Sequence, residues 1–157
     1  MKMKLKLLML TAFVGFLCQC GYSQGKRTNP KLTQSVNFKS NVEDPLTDKE
    51  YKMLKEVYGD RLDELVLNKP QRLKDLKNIL RNRVQFIEYP QGNDKPYPLL
   101  SEVPLFNNYT QNLTRDANPK KETFNPLKYN FSFYEKYNLT YRIDNTNWFI
   151  IILSQFN

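Results

Sequence analysis

Five carboxylates, Glu88, Asp94, Glu102, Asp116 and Asp144, lie in the C-terminal part of a chain with no histidine, whose two cysteines, Cys18 and Cys20, both sit near its start. Two carboxylates suffice for glycoside hydrolysis, one as acid and the other as base or nucleophile. Most other catalytic chemistry lacks its parts. Without histidine there is no Ser-His-Asp triad, no Cys-His pair and no ordinary zinc site. After residue 24 glycine occurs only at Gly25, Gly59 and Gly92, so no glycine-rich phosphate cradle or dinucleotide fingerprint can be built. Asp144, Asn145 and Asn147 offer oxygen ligands, but the acidic spacing and central glycine of a twelve-residue calcium loop are missing. Those residues suit a turn, where Asp and Asn bond to their own backbone. The expectation is a protein with no cofactor and no metal.

Binding chemistry is better represented than catalysis. Charge is segregated along the chain: Glu43 to Glu64 has eight acids against four basic residues, whereas Lys69 to Arg83 has six basic residues against Asp75. Two helices with complementary outer faces would explain this without any partner. Alternatively, Arg72, Lys74, Lys77, Arg81 and Arg83 meet an anionic envelope component, such as lipopolysaccharide or a lipid head group, or the acidic surface of another envelope protein. Arg81 and Arg83 flank Asn82 and could clamp a carboxylate or phosphate; capping the end of their own helix is the preferred reading. Fifteen of the 21 aromatic residues fall between Phe86 and Phe156. Most are expected to fill a small core. Tyr134 and Tyr137 are the ones expected at the surface, where tyrosine suits sugar stacking and protein interfaces.

The elements that position these groups follow from periodicity. Thr47 and Glu50 form a capping box for a helix over about 47–58, with Tyr51, Leu54 and Tyr58 on one face and Gly59 as its stop. A second helix is predicted over 60–67, with Leu62, Leu65 and Val66 inward. Pro70 opens a third over 70–83, whose core stripe is Leu73, Leu76, Ile79, Leu80 and Arg83. Beyond it the period changes to two. Strands are predicted over 84–89, 128–134, 139–143 and 148–154, with turns at Gln91 to Asp94 and Asp144 to Asn147. The run Trp148 to Leu153 is apolar on both faces and belongs in the middle of a covered sheet. The proline-rich stretch from Lys95 to Pro126 is too long for a plain connection and should follow an ordered path over the surface. The predicted fold class is α+β, with N-terminal helices packed on a small antiparallel sheet.

The start of the chain reads as an export signal: Lys2, Lys4 and Lys6, an apolar stretch from Leu7 to Leu17, then small and polar residues. That stretch is shorter than the roughly 20 residues needed to span a bilayer. The expected organisation is a cleaved signal over 1–24, a polar arm over 25–45 and a single α+β domain over 46–157. The formal charge of +8 includes the three signal lysines, so the exported chain would carry +5 and no disulfide. Lipid anchoring through Cys20 is the alternative, although Gln19, not a small residue, precedes it. An exported protein makes nucleic acid a poor partner, and no transmembrane span is expected in the mature chain.

The segments Phe124-Asn125-Pro126-Leu127-Lys128-Tyr129 and Tyr141-Arg142-Ile143-Asp144-Asn145-Thr146, in a Lys- and Asn-rich chain behind a short signal, resemble short uncharacterised exported proteins of flavobacteria and related Bacteroidota. The resemblance implies a periplasmic or extracellular protein and carries no catalytic residues over. The expected function is a non-catalytic envelope binding or interaction module; the alternative is a small carboxylate-dependent hydrolase acting on glycans.

Overall fold

The computed structural model describes residues 35–36, 38–89 and 96–156. The expected signal over 1–24, Cys20 and the Gln91 to Asp94 turn lie outside them. The described chain is mixed α+β, with the helices preceding a three-stranded antiparallel sheet.

Helix α1 spans Asp48–Tyr58. Its capping box is complete: the Glu50 N–H donates to Thr47 Oγ1 at 3.2 Å, and the Thr47 N–H donates to Glu50 Oε2 at 2.9 Å. Gly59 ends the helix with φ of 55°, a conformation that favours glycine, and a Cβ there would sit 3.2 Å from Thr110 Oγ1. The predicted 60–67 helix is present as two short turns, a 3-10 turn over Gly59–Arg61 and a π turn over Asp63–Leu67. Leu62, Leu65 and Val66 are buried as expected. Helix α2, Pro70–Asn78, places its proline in the first turn and continues as π turns over Ile79–Arg83. Leu54, Val57, Leu62, Val66 and Ile79 form the centre of the helical core. The packed unit reaches back to Val42, which is fully buried, so part of the predicted arm belongs to the domain.

The sheet consists of β1 (Val84–Glu88), β2 (Leu139–Arg142) and β3 (Trp148–Ile152), in the order β1-β3-β2. Phe86 pairs with Ile150 on one side of β3 and Tyr141 pairs with Ile150 on the other. The central position explains why β3 is apolar on both faces. Ile150 and Ile152 join the core with Leu100, Tyr129 and Phe131, while neighbouring Phe149 is fully buried against the edges of Tyr89 and Tyr97. Tyr97 comes from the proline-rich stretch, which thus supplies cover for the second face. β2 and β3 join through a turn in which Asn145 takes φ of 55°.

The predicted strand over 128–134 is not a strand. Its alternation is real, since Tyr129 and Phe131 are buried whereas Asn130, Ser132 and Tyr134 are exposed. The backbone, however, bonds to itself: the Phe131 N–H donates to Tyr129 O at 2.8 Å and the Phe133 N–H to Phe131 O at 2.9 Å. These i to i+2 bonds use donors that a ladder would need. Only a single bridge, Leu105 to Tyr129, pairs the segment. Among the described residues no helix is long and apolar enough to cross a membrane.

Candidate functional site

Four of the five basic residues singled out from the sequence are held by the chain itself. Lys74 Nζ lies 2.5 Å from Glu43 Oε1 and 4.9 Å above the Phe38 ring. Lys77, buried, donates to Asp44 O at 2.9 Å. Arg81 grips Glu50 with both arms of its fork, Nε to Oε1 at 2.6 Å and Nη2 to Oε2 at 2.7 Å, and also donates to the carbonyls of Asn41, Asp44 and Pro45. The Arg81 bond holds the Glu50 carboxyl below its ordinary value against the opposing effect of burial, with help from the Thr47 N–H. Arg83 is buried and donates through Nε to Leu153 O at 2.9 Å and through Nη2 to Phe133 O. Neither arginine caps its own helix through these bonds. Both reach other segments instead, Arg81 the chain from Asn41 to Glu50 and Arg83 the carbonyls of Phe133 and Leu153.

Arg72 is different. Its guanidinium lies over the Tyr58 ring, 5.4 Å from the centroid, and has no carboxylate partner among the described residues. Burial works against its charge, but the Tyr58 and Tyr109 hydroxyls outweigh this and raise its pKa. Tyr58 in turn stacks on Tyr109 at 5.4 Å, and Tyr109 meets the edge of Phe106 at 5.7 Å. The arginine is therefore a positioned cation on an aromatic platform.

A groove of about 470 Å³ opens beside this platform. Tyr58, Arg72 and Leu76 line one wall from the helices; Phe131, Phe133, Tyr134 and Glu135 line the other from the curled segment after Tyr129. The i to i+2 turns put Phe133 and Tyr134 there, since they bend the segment back towards α2 where a straight strand would have continued along the sheet. Tyr134 stands at the rim, 66% exposed. The structure thus brings together Arg72 and Tyr134 from the sequence reading. Tyr137 is equally open, at 62%, and does not line this groove. Tyr58, Phe106, Phe133 and Glu135 were missed. Helical spacing places Tyr58 on the α1 core face, and its pairing with an arginine from the next helix has no local signature.

Three of the five carboxylates considered for hydrolysis have structural partners. Asp116 accepts from Lys128 Nζ at 2.9 Å and from the Tyr129 hydroxyl at 3.2 Å. Asp144 accepts from the Ser101 N–H at 3.0 Å and from its hydroxyl at 2.5 Å, bonds that hold its pKa down although burial opposes them. Glu102 accepts from the Leu99 N–H at 3.0 Å. Glu88 is exposed at the end of β1, and Asp94 lies outside the described residues. Among the described residues Glu135 is the single carboxylate lining the groove. No cluster of three His, Cys, Asp or Glu side chains able to hold a metal is present among the described residues. Comparison of the chain with protein-family models, with curated proteins and with solved structures gives no match.

Proposed function

We propose that this chain is a non-catalytic binding module of the cell envelope or the secreted space, taking an anionic glycan in the groove between α2 and the segment Phe131 to Glu135. The observation that carries the reading is Arg72, a partly buried cation fixed over Tyr58 and lacking a carboxylate partner among the described residues. A guanidinium in that state recognises a carboxylate or sulfate, and the flanking aromatic faces of Phe133 and Tyr134 suit the apolar face of a sugar ring. Export to the envelope rests on the lysine-flanked apolar leader in the sequence. Binding is favoured over hydrolysis because a glycosidase needs two carboxyl groups roughly 5 to 9.5 Å apart across the bond, and Glu135 lines the groove without a second acid.

Calorimetric titration with an oligouronate and with its neutral, carboxyl-reduced counterpart tests the proposal. The acidic form should bind and the neutral form should not. Tyr134→Ala, at an exposed rim position, should weaken binding by about tenfold while leaving the thermal midpoint unchanged. Equal affinity for the acidic and neutral forms, or no effect of Tyr134→Ala, removes the groove from consideration. Release of reducing ends by the wild-type protein would favour the hydrolase instead.

A further inference from the structure

We infer that the protein has a second binding site, for a small oxyanion of the phosphate or carboxylate type, in the cleft beside Arg83. The cleft has a volume of about 380 Å³ and lies between the end of the basic helix, the chain around Lys39 and the residues that follow β3. Its walls include Arg83, Asn78 and Ser154, each more than nine-tenths buried, together with Asn82, Lys39 and Gln155.

The charge of Arg83 is what demands an explanation. A guanidinium carries five N–H donors and stays protonated in proteins. Arg83 directs Nε to Leu153 O and Nη2 to Phe133 O, and Nη1, with two hydrogens, has no acceptor among the described residues. No described carboxylate forms an ion pair with it, in contrast to Arg81, which holds Glu50. Burial accordingly pushes the Arg83 pKa down, with distant charges, Tyr134 and Asp75, only partly offsetting it. A buried cation without a counter-charge is costly, and the cost falls when an anion enters.

Asn78 and Ser154, the other buried polar residues of the walls, have donors to offer. Asn78 Oδ1 is occupied, accepting from Asn82 Nδ2 at 3.0 Å, which leaves the Asn78 amide as a donor. Ser154 Oγ accepts from the Phe156 N–H at 3.2 Å, and its hydroxyl hydrogen has no acceptor among the described residues. Lys39, at the open side, adds a second positive charge. A cleft with an unpaired guanidinium, two side-chain donors and a lysine matches an oxyanion and disfavours a cation.

Titration of the isotopically labelled protein with inorganic phosphate at low ionic strength should give saturable amide shifts confined to the neighbourhood of Asn78, Arg83 and Ser154. Asn78→Asp keeps the Oδ1 acceptor for Asn82 and places a carboxylate beside Arg83, so it should weaken phosphate binding about tenfold or more. Ser154→Ala removes one donor and should cost about fivefold, which preserves the test if the first variant does not fold. Acetate in a parallel titration separates a planar from a tetrahedral anion. Vesicles of phosphatidylglycerol, compared with phosphatidylcholine, separate a lipid-borne phosphate from the free ion. Localised binding of any of these anions that Asn78→Asp or Ser154→Ala weakens supports the site; no localised binding, or binding that neither variant changes, overturns it.

Discussion

The helical segment from Val42 to Arg83 and the aromatic segment from Tyr97 to Phe156 are held by different kinds of bond. In the first, the helices satisfy their own backbone through helical turns, side chains join acid to base at Glu43–Lys74 and Glu50–Arg81, and Lys77 and Arg81 reach carbonyls only in the chain ahead of α1. In the second, only β2 and β3 form a regular ladder, and long side chains reach in to satisfy carbonyls. Arg115 donates to Leu100 O at 3.0 Å and Val103 O at 2.6 Å, and Arg83 donates to Leu153 O at 2.9 Å. Stacked rings then replace the regular side-chain rows of a sheet, from Phe124 on Tyr129 at 5.1 Å to Tyr129 on Phe131 at 5.5 Å. An irregular segment can be buried because every buried backbone group still needs a partner, and side chains from elsewhere provide it. Its stability is consequently concentrated in a few residues, whereas that of the helices is spread over many.

Lys128 gives the hardest test of that difference. Its side chain is 4% exposed and Nζ sits 2.9 Å from Asp116 Oδ1 and 3.3 Å from Glu56 Oε1, joining the aromatic segment to α1. Lys128→Met keeps the apolar stem and leaves the two carboxylates without their cation, so it should destabilise the protein by about 3 kcal/mol in denaturant unfolding. A loss under about 1 kcal/mol would mean that stability in this segment is not concentrated as argued. The pH dependence carries the same information. Burial alone would lower the Lys128 pKa, but the Asp116 bond and the charges of Asp116 and Glu56 raise it above 10.5. A raised pKa on a cation stabilises the fold below the unfolded value and is lost as pH rises through the folded one. Tyr58 and Tyr129, raised above 10.0 by burial, act in the same sense because the unfolded chain ionises first. Stability should therefore fall above about pH 10, and less steeply in Lys128→Met.

Glu50 is the counterpart in the helical segment, with a smaller expected effect. Glu50→Gln retains an oxygen for the Thr47 N–H but turns a neutral amide towards the Arg81 fork, and should cost about 2 kcal/mol. Because the folded pKa of Glu50 is depressed, its contribution is present above about pH 4.5 and lost as pH falls through the folded value. The acid limb of the wild-type stability curve should thus be steeper than that of Glu50→Gln. Parallel curves would show that the ion pair does not contribute, leaving packing to hold α1 against the end of the basic helix.

The contrast also accounts for what could be read from the residues alone. Thr47 with Glu50, the leucine spacing and Pro70 specify helices through neighbours three or four positions away, and those elements lie where expected. The apolar run from Trp148 likewise identified a central strand. The alternation of Tyr129, Phe131 and Phe133 correctly reported which side is buried, but alternation records burial and says nothing of a ladder partner. Whether 128–134 pairs or curls depends on Pro104 and Leu105, which lie far away in sequence and engage only its first residues. The groove followed from that curl, so Arg72 and Tyr134 were visible as candidates while their meeting with Tyr58 and Phe133 was not. Arg83 shows the same limit, since its acceptors, Phe133 O and Leu153 O, belong to segments 50 and 70 positions away.

The smallest effect is expected where the bonding is most local. Thr47→Ala removes the hydroxyl that accepts the Glu50 N–H and leaves the reciprocal bond, from the Thr47 N–H to Glu50 Oε2, available to the variant. Loss of such a cap costs about 1 kcal/mol, and here the retained half of the box and the Arg81 grip on Glu50 continue to hold the helix start. Fraying should be confined to the first turn, which amide hydrogen exchange would register as faster exchange at Glu50 and Tyr51 with protection at Leu54 and Val57 unchanged. If protection instead fell across α1 and at Tyr129 together, the cap would be coupled to the Lys128 junction. The helical and aromatic segments would then unfold as one cooperative unit, and the distinction between distributed and concentrated stability would fail.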